Sequence, residues 1–313
     1  MAGLHSGAVY CVEYTGKEGH LLSGGEDRSV RLTNGRTGLR VASYEGFHSN
    51  DVRAVCASAE GRLVASGGAD RRVCVVDAAT GALIRKPYSR HKSTVSSVAF
   101  APQAAGGDGL LLSGGADHAA YLWDVRQRGG RPVQGLEGAS DSVAAVASTR
   151  DALLTASYDG RLRVYDVRCG VMHTDAIKRP LAPLTSMRVI HAPSARSASQ
   201  SQSHVLLSSL DAAVSLWNVT DGVLVDEYRG HAHSSLLLSS APVGGPSPRF
   251  VVSGSERPEA CLWLFARPSV APLKIPATTS RASLTTVAGD PWRESFVMAT
   301  LDGHLEVWNW FDH

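Results

Sequence analysis

The apolar residues of this chain fall in short alternating runs rather than in long helical stripes. One representative stretch contains an alternating run that starts at Val52, a run of small and apolar residues at Leu63–Gly67, and an acidic turn at Asp70. A second alternating run starts at Val73, and a further short run follows at Ala82–Ile84. Alternation with a period of two is typical of a half-buried β-strand. The pattern therefore predicts a unit of four short strands.

Seven copies of this unit fill the chain. A turn column, acidic in six copies, holds Asp27, Asp70, Asp117, Asp159, Asp211, Arg257 and Asp302, with spacings of 43, 47, 42, 52, 46 and 45 residues. A second column, six residues later, holds Thr33, Val76, Trp123, Tyr165, Trp217, Trp263 and Trp308. No copy contains a helical period of ten residues or more. Because a single small sheet cannot bury its own faces, such repeats stack around an axis. The sequence predicts an all-β propeller with seven blades.

The repeat resembles that of the WD-repeat family. The resemblance is carried by WDVR at Trp123–Arg126, by Gly230-His231, and by the spacing Ser-x3-Asp-x5-Trp. It implies a structural hydrogen-bond network in the third blade, formed by His91, Ser113, Asp117 and Trp123. Other copies keep only part of this set. The second has His48, Ser66 and Asp70 without the Trp, and the first ends in Thr33, so we expect apolar packing to contribute more there.

Two stretches point to a narrower group. Ser157–Gly170 and Leu207–His231 are similar to the corresponding blades of WD-repeat proteins that organise mitogen-activated protein kinase modules. This resemblance implies a non-catalytic scaffold for kinase-cascade components. The same group has a second association with the spliceosome, so the alternative is a structural subunit of the splicing machinery.

Composition restricts the remaining classes of function. Lys and Arg exceed Asp and Glu by only 31 to 29, which argues against a dedicated nucleic-acid binder. The five cysteines include no C-x-x-C pair, so neither zinc nor a disulfide framework is indicated. No signal peptide and no run of about 18 apolar residues is visible. We therefore expect one propeller domain over 1–313, in the cytoplasm and the nucleus, with no metal, cofactor, membrane or small-molecule substrate.

Uneven repeat spacing predicts that the two faces of the disc differ. The longer intervals are due to insertions at Ala101–Gly109, Ile190–His204 and Ala241–Arg249, all between the first and second strands of a copy. In a WD-repeat propeller these turns lie opposite the Asp turns. The serine-rich insertion at 190–204 is low in complexity. Few residues are available for an outer strand of the last blade. Three alternatives stay open: Met1–Leu4 adds a short outer strand, the blade has three strands and an exposed edge, or the sequence is truncated.

The best candidates for partner binding follow from the geometry that the family resemblance implies. In WD-repeat proteins, residues beside the turn Asp and at the start of the innermost strand ring the narrow face. Those columns hold Tyr10, Glu26, Arg28, Asp51, Arg53, Arg71, His118, Tyr158 and Arg257. Four of these residues lie on blades one to three, namely Arg28, Arg53, Arg71 and His118. We hypothesise that they form a basic arc for an acidic or phosphorylated partner segment, since Arg binds such groups in a bidentate way.

Two motifs allow a different interpretation of the function. WDVR at Trp123–Arg126 and YDVR at Tyr165–Arg168 resemble motifs of substrate receptors of cullin-4 ubiquitin ligases, in which the Arg residues, here Arg126 and Arg168, dock on the adaptor.

The repeated His, Ser and Asp residues could suggest a hydrolase. A hydrolase needs an exposed nucleophile, whereas the repeat places these residues inside each blade. We therefore expect no catalytic residues.

Overall fold

The fold was taken from a computed structural model, which describes residues 4–15, 19–101, 109–127, 129–149, 152–166, 172–175, 182–191, 203–244, 248–268, 270–277 and 280–309. These residues form 26 strands and no helix. The strands make seven antiparallel sheets, each built from strands consecutive in the chain. The predicted seven-bladed all-β propeller is confirmed.

The strands of each blade are given from the innermost outward. Blade 1 contains β1 (Val9–Tyr14), β2 (His20–Gly25), β3 (Val30–Asn34) and β4 (Arg40–Tyr44); blade 2 contains β5 (Val52–Ala57), β6 (Leu63–Gly68) and β7 (Val73–Asp77). Blade 3 contains β8 (Val95–Phe100), β9 (Leu110–Gly115), β10 (Ala120–Asp124) and β11 (Gln134–Leu136); blade 4 contains β12 (Val143–Ser148), β13 (Ala152–Ser157), β14 (Leu162–Asp166) and β15 (Met172–Asp175). Blade 5 contains β16 (Leu184–His191), β17 (Ser203–Ser209), β18 (Ala213–Asn218) and β19 (Val223–Arg229). Blade 6 contains β20 (Ser240–Val243), β21 (Phe250–Ser253), β22 (Glu259–Leu264) and β23 (Leu273–Pro276); blade 7 contains β24 (Leu284–Gly289), β25 (Ser295–Thr300) and β26 (Leu305–Asn309).

Two blades have three regular strands in the described residues. In blade 2 the chain after β7 still pairs with it, but only through isolated bridges, Val73 to Tyr88 and Val76 to Leu83. In blade 7 the described sheet contains β24, β25 and β26. Residues 1–3 and 310–313 lie outside the described residues, so the incomplete last blade stays a prediction.

The ring closes between blades 7 and 1 by packing and hydrogen bonding. The Thr285 hydroxyl of β24 donates to the Val9 carbonyl of β1 at 2.9 Å. Next to this bond, Val9 and Leu21 of blade 1 pack with Val297 and Leu305 of blade 7 in one apolar cluster, and all four side chains are fully buried. Among the described strands, those of blade 1 and of blade 7 are each consecutive in the chain, and none is shared between the two sheets.

Glycines near the ends of the second strands allow neighbouring blades to approach closely. A Cβ atom on Gly67 would lie 2.5 Å from Cγ1 of Val95, and one on Gly114 would lie 2.7 Å from Cγ1 of Val143. Both distances are shorter than any real Cβ contact, so a side chain at either position would push the next inner strand away. These glycines therefore serve the packing of one blade against the next.

The lengthened segments lie between first and second strands, as the spacing predicted. They connect β8 to β9, β16 to β17, and β20 to β21. Most of the serine-rich stretch, at 192–202, lies outside the described residues. Among the residues that the structure describes, no helix has the length and apolar character needed to cross a membrane.

Candidate functional site

One hydrogen bond recurs from blade to blade and defines a face of the disc. The amide of the residue before the turn Asp donates to the carbonyl just before the inner strand, as in Ala69 to Asp51 (2.8 Å) and Ala116 to Thr94 (2.9 Å). These bonds bring the Asp turns and the beginnings of the inner strands to the same side. We call this side the turn face, and the side with the lengthened loops the insertion face.

Blade 3 contains the complete four-residue network that the family resemblance implied. His91 Nδ1 lies 3.0 Å from Asp117 Oδ1, and its Nε2 lies 2.8 Å from the Ser113 hydroxyl oxygen. The Trp123 indole also donates to that hydroxyl at 2.8 Å. Ser113 is fully buried, so its oxygen cannot reach a substrate as a hydrolase nucleophile must. The arrangement is structural, and it is stabilising because each member has a partner.

Blades 1 and 2 keep the same network without the indole. In blade 1, His5 lies 2.9 Å from Asp27 and 2.7 Å from Ser23. In blade 2, the His48 ring bridges Asp70 and Ser66. Burial lowers the pKa of His5, although its hydrogen bond to Asp27 opposes this shift.

Blade 4 replaces the histidine by an arginine that lies later in the chain. Arg163 Nη1 donates to the Ser157 hydroxyl at 2.7 Å, and its Nη2 lies 2.6 Å from Asp159 Oδ2. Desolvation acts to raise the pKa of Asp159, but the hydrogen bonds from Arg163 and Ser157 outweigh it and hold this pKa well below its usual range. Sequence reasoning missed this substitution. Its only signal is an Arg four residues after the turn Asp, a spacing that Arg31 repeats with Asp27.

Blade 6 obtains its turn carboxylate from a different position than the repeat alignment indicates. Glu256, one residue before Arg257, accepts hydrogen bonds from the amides of Ser234 (2.8 Å), Ser235 (2.6 Å) and Leu236 (3.0 Å). Desolvation opposes the charged form, yet these bonds lower the pKa of Glu256 to about 2. These amides lie further along the loop than the amide after the histidine that the turn Asp binds in blades 1 to 3. Arg257 thus occupies the turn column without a carboxylate and is exposed, and the residue before it accepts the backbone hydrogen bonds.

The residue after the turn Asp has a left-handed backbone. Arg28, Arg71 and His118 have φ angles of 63°, 67° and 62°, and all three side chains are exposed on the turn face. In blades 4 and 7 the same position holds Gly160 (φ 74°) and Gly303 (φ 88°). A non-glycine residue in this conformation costs of order 1 kcal/mol. Blades 1 to 3 therefore retain charged or titratable side chains where glycine would be less strained.

A regular bulge begins the inner strands, and its occupant differs among blades. The pairing skips one residue between Val9 and Cys11 in blade 1 and between Val52 and Ala54 in blade 2. The skipped residues are Tyr10 and Arg53. In blades 5 and 7 the same position holds a threonine that bonds to a carbonyl of the next blade, as Thr285 does. Because a bulge redirects its side chain, blades 1 and 2 use this position to present Tyr10 and Arg53.

The side chains of Tyr10 and Arg53 form a compact group on the turn face, at the mouth of the central channel that the inner strands surround. The Arg53 guanidinium carbon lies 3.7 Å from the centroid of the Tyr10 ring, a cation–π contact. Arg53 Nη2 also donates to Asp51 Oδ2 at 2.8 Å. Tyr158 is half-buried at the same mouth, and Leu237 remains 52% exposed there. The structure thus brings Asp51, Arg53 and Tyr10 into direct contact, and adds an apolar residue, Leu237, that sequence reasoning had not selected.

The channel itself is a cavity of about 850 Å³. Six of the seven inner strands line it, and blade 6 contributes the segment before β20 in place of the strand. An ion pair spans it, with Arg188 Nη1 of β16 3.1 Å from Glu13 Oε2 of β1. Desolvation raises the pKa of Glu13, and the Arg188 charge opposes this shift. The channel is therefore bridged by charged side chains, and the described residues contain no group of three or more His, Cys, Asp or Glu that could hold a metal ion.

The structure describes one of the two candidate adaptor-docking arginines, Arg126. Arg126 is exposed on the insertion face, and its guanidinium Nε donates to Asp124 of the same motif at 3.0 Å. Arg168 lies outside the described residues. The cullin-4 reading of this motif stays a prediction.

Sequence comparison identifies the fold family. Residues 4–34, 39–77, 82–124 and 130–166 match the family model described as "WD domain, G-beta repeat". The chain is a WD40-repeat β-propeller, a class that generally binds other proteins and performs no catalysis.

Several relatives place it within that class. It is 24% identical over 97% of its length to "WD repeat domain-containing protein 83 homolog" of Dictyostelium discoideum, 95% of which is covered. It is 29% identical over 58% of its length to "WD repeat domain-containing protein 83" of Rattus norvegicus, and 27% identical over 57% to "Uncharacterized WD repeat-containing protein C713.05" of Schizosaccharomyces pombe. The match spans just over half of these last two proteins, 52% and 55%. The predicted resemblance is confirmed as similarity to WD repeat domain-containing protein 83, and the kinase-organising role stays a prediction.

Proposed function

We propose that this chain is a scaffold that holds components of a kinase cascade together, in the cytoplasm and the nucleus, with the channel mouth of the turn face as a principal binding site. The observation that carries the site is the contact of Arg53 with Tyr10. These side chains occupy a position that blades 5 and 7 give to a threonine bonded to the next blade. Tyr and Arg are among the residues enriched at the energetic centres of interfaces.

The chemistry of this site suits a protein segment. A cation–π pair beside a carboxylate and an exposed leucine offers apolar area with a few directed polar groups, which is the composition of an interface centre. A scaffold acts through effective concentration, because two partners held on one disc meet as if they were parts of one molecule. The kinase assignment is supported by the similarity of the chain to the group that contains WD repeat domain-containing protein 83.

The test is affinity purification of the wild-type chain from separate cytosolic and nuclear fractions, repeated with Arg53→Glu. The matched control is Arg62→Glu, which makes the same charge change in the same blade. Arg62 lies in the β5–β6 loop on the insertion face, and its side chain is 69% exposed. We expect kinases among the proteins captured by wild type and by the control, and their loss with Arg53→Glu. Capture of splicing factors without kinases would favour the spliceosomal alternative, and an unchanged set with Arg53→Glu would contradict the assigned site.

A further inference from the structure

A group of positive side chains lies where blades 2 and 3 meet on the turn face. We call it the basic cluster, and it consists of Arg71, Arg72, Arg90, Lys92 and His118. All five residues are exposed. We propose that the basic cluster is a docking site for a partner segment that carries a phosphoserine or phosphothreonine.

Backbone pairing brings these residues together. Val73 and Tyr88 form an antiparallel bridge with hydrogen bonds of 2.9 Å in both directions. In an antiparallel pair, residues that precede one partner lie beside residues that follow the other. Arg71 and Arg72 precede Val73, and Arg90 follows Tyr88 by two positions. The pairing therefore places Arg90 alongside the turn that holds the other two arginines.

The third-blade members converge on the same place. Arg90 and Lys92 flank His91, whose ring is bound to Asp117. The Lys92 amide also donates to Asp117 Oδ2 at 2.7 Å, and His118 directly follows that Asp. Hence the three residues surround a single Asp turn.

The positive charges of the cluster are not neutralised within the part of the chain that the structure describes. No ion pair there involves Arg71, Arg72, Arg90 or Lys92. The two nearby turn carboxylates are buried and bound to histidines, with side-chain exposures of 3% for Asp70 and 6% for Asp117. Three other arginines differ, because Arg31, Arg163 and Arg229 each pair with the turn Asp of their own blade. Arg28 and Arg257 also lack an ion pair among the described residues, but each lies apart from other such cations.

Two members of the cluster are kept under backbone strain. Arg71 and His118 are left-handed, at φ 67° and 62°, where blades 4 and 7 have glycine. In blade 5 the same position holds Ala212 at φ 57°, so blades 2 and 3 differ in placing a charged or titratable side chain at this strained surface position. The cluster is also continuous with the channel mouth, since the turn of Arg71 is tied to Asp51 by the hydrogen bond from Ala69.

The chemistry of the cluster favours a phosphate group on a protein. Guanidinium groups match phosphate oxygens in a bidentate way, and a phosphoserine carries about −1.5 to −2 charges at neutral pH. Nucleic acid is disfavoured because specific binding to it commonly neutralises about 6–10 phosphates, and this cluster occupies two blades of a chain with a net charge of only +2.

The test uses a peptide library with a central phosphoserine or phosphothreonine between degenerate positions, and an unphosphorylated copy. The best-retained sequence is then measured by fluorescence anisotropy against wild type, Arg71→Gly, Arg90→Glu and Arg28→Gly. Arg28→Gly is the matched control, because it makes the same change at the equivalent strained position of blade 1, where the backbone φ is 63°. Arg71→Gly relieves strain, so thermal unfolding should show that it is at least as stable as wild type and that weaker binding is not due to unfolding.

We expect wild type to bind the phosphorylated peptide at least about tenfold more tightly than the Ser, Thr or Glu versions. Arg71→Gly and Arg90→Glu should each weaken binding about tenfold, and Arg28→Gly less than about twofold. Any one of four results would overturn the proposal. These are equal retention of both libraries, equal binding of the Glu peptide, displacement by a short oligonucleotide, and equal losses in all three variants.

The proposal rests on the proposed function, since it uses the same face. If Arg53→Glu loses partners while no phosphopeptide binds, only the phosphate site fails; if phosphopeptides bind and Arg53→Glu loses nothing, only the channel-mouth site fails.

Discussion

Glu13 and Arg188 belong to blades 1 and 5, which are not neighbours in the ring, yet their side chains meet across the central channel at 3.1 Å. Every other described ion pair joins residues of one blade or of adjacent blades. This pair therefore couples opposite sides of the disc directly, in addition to the packing of each blade against the next.

We predict a favourable coupling between these two residues of about 0.5–1 kcal/mol, since both side chains are roughly one-third exposed in the channel and water screens part of their attraction. The measurement is a double-mutant cycle with Glu13→Gln, Arg188→Gln and the double variant, using urea unfolding. Repeating it at high salt should reduce the coupling. Strict additivity of the two single changes would show that the pair does not contribute.

The indole of blade 3 should make its serine more important than the equivalent serine of blade 2. Ser113→Ala leaves both His91 Nε2 and the Trp123 indole without their partner, whereas Ser66→Ala affects only His48. Because each buried polar group without a partner costs about 1–3 kcal/mol, the Ser113 variant should lose about 1–3 kcal/mol more in free energy of unfolding. Similar losses in both variants would mean that the indole bond is not stabilising.

The anchor of blade 6 can be tested by comparing two adjacent residues. Glu256→Ala removes the acceptor of three backbone amides and should lower the free energy of unfolding by about 1–2 kcal/mol at neutral pH. Arg257→Ala, at the exposed neighbour, should change it by less than about 0.5 kcal/mol. A larger effect of the Arg257 change would show that Glu256 is not the residue that stabilises this turn. The folded pKa of Glu256, about 2, lies below its ordinary value of 4.5, so its contribution is complete above pH 4.5 and is lost as the pH falls toward 2.

Acid sensitivity should be greatest around a buried histidine pair in blade 6. The His231 ring lies 5.6 Å from those of His233 and Trp263, and neither of its nitrogens has a hydrogen-bond partner among the described residues. Desolvation, with a smaller effect of His233, lowers the pKa of His231 from 6.5 to about 4. Since the folded state resists protonation, stability should be complete above pH 6.5 and should fall as the pH drops toward 4.

The measurement for this pair is the free energy of unfolding between pH 7 and 4 for wild type and His231→Phe, which keeps an aromatic ring against Trp263. The variant should lose less stability over that range, by on the order of 3 kcal/mol. His118→Phe, at an exposed histidine, is the control and should follow wild type. Identical pH profiles for wild type and His231→Phe would contradict the prediction.

Much of the architecture could be predicted because blades are local in sequence. The period-two runs and the turn column were enough to predict seven antiparallel units, and a single motif match identified the network of His91, Ser113, Asp117 and Trp123. The columns also selected Arg28, Arg71 and His118, which the structure places on the turn face. What they could not show is that these positions are left-handed, since φ is not visible from residue type when Arg or His takes the place of glycine.

The rest depended on which side chains meet in space. Sequence by itself determined the number of blades, their order and the two unequal faces, because each follows from hydrogen bonds between strands adjacent in the chain. Only the tertiary structure decided that Glu256 supplies the carboxylate that the turn column of blade 6 lacks, that Arg163 takes the place of a histidine, and that Arg53 lies against Tyr10. A side chain reaches its partner by length and direction, so a shift of one position or one bulge changes the contact without changing the repeat. The Glu13–Arg188 pair is the extreme case, since its residues are 175 positions apart and come together only when the ring closes.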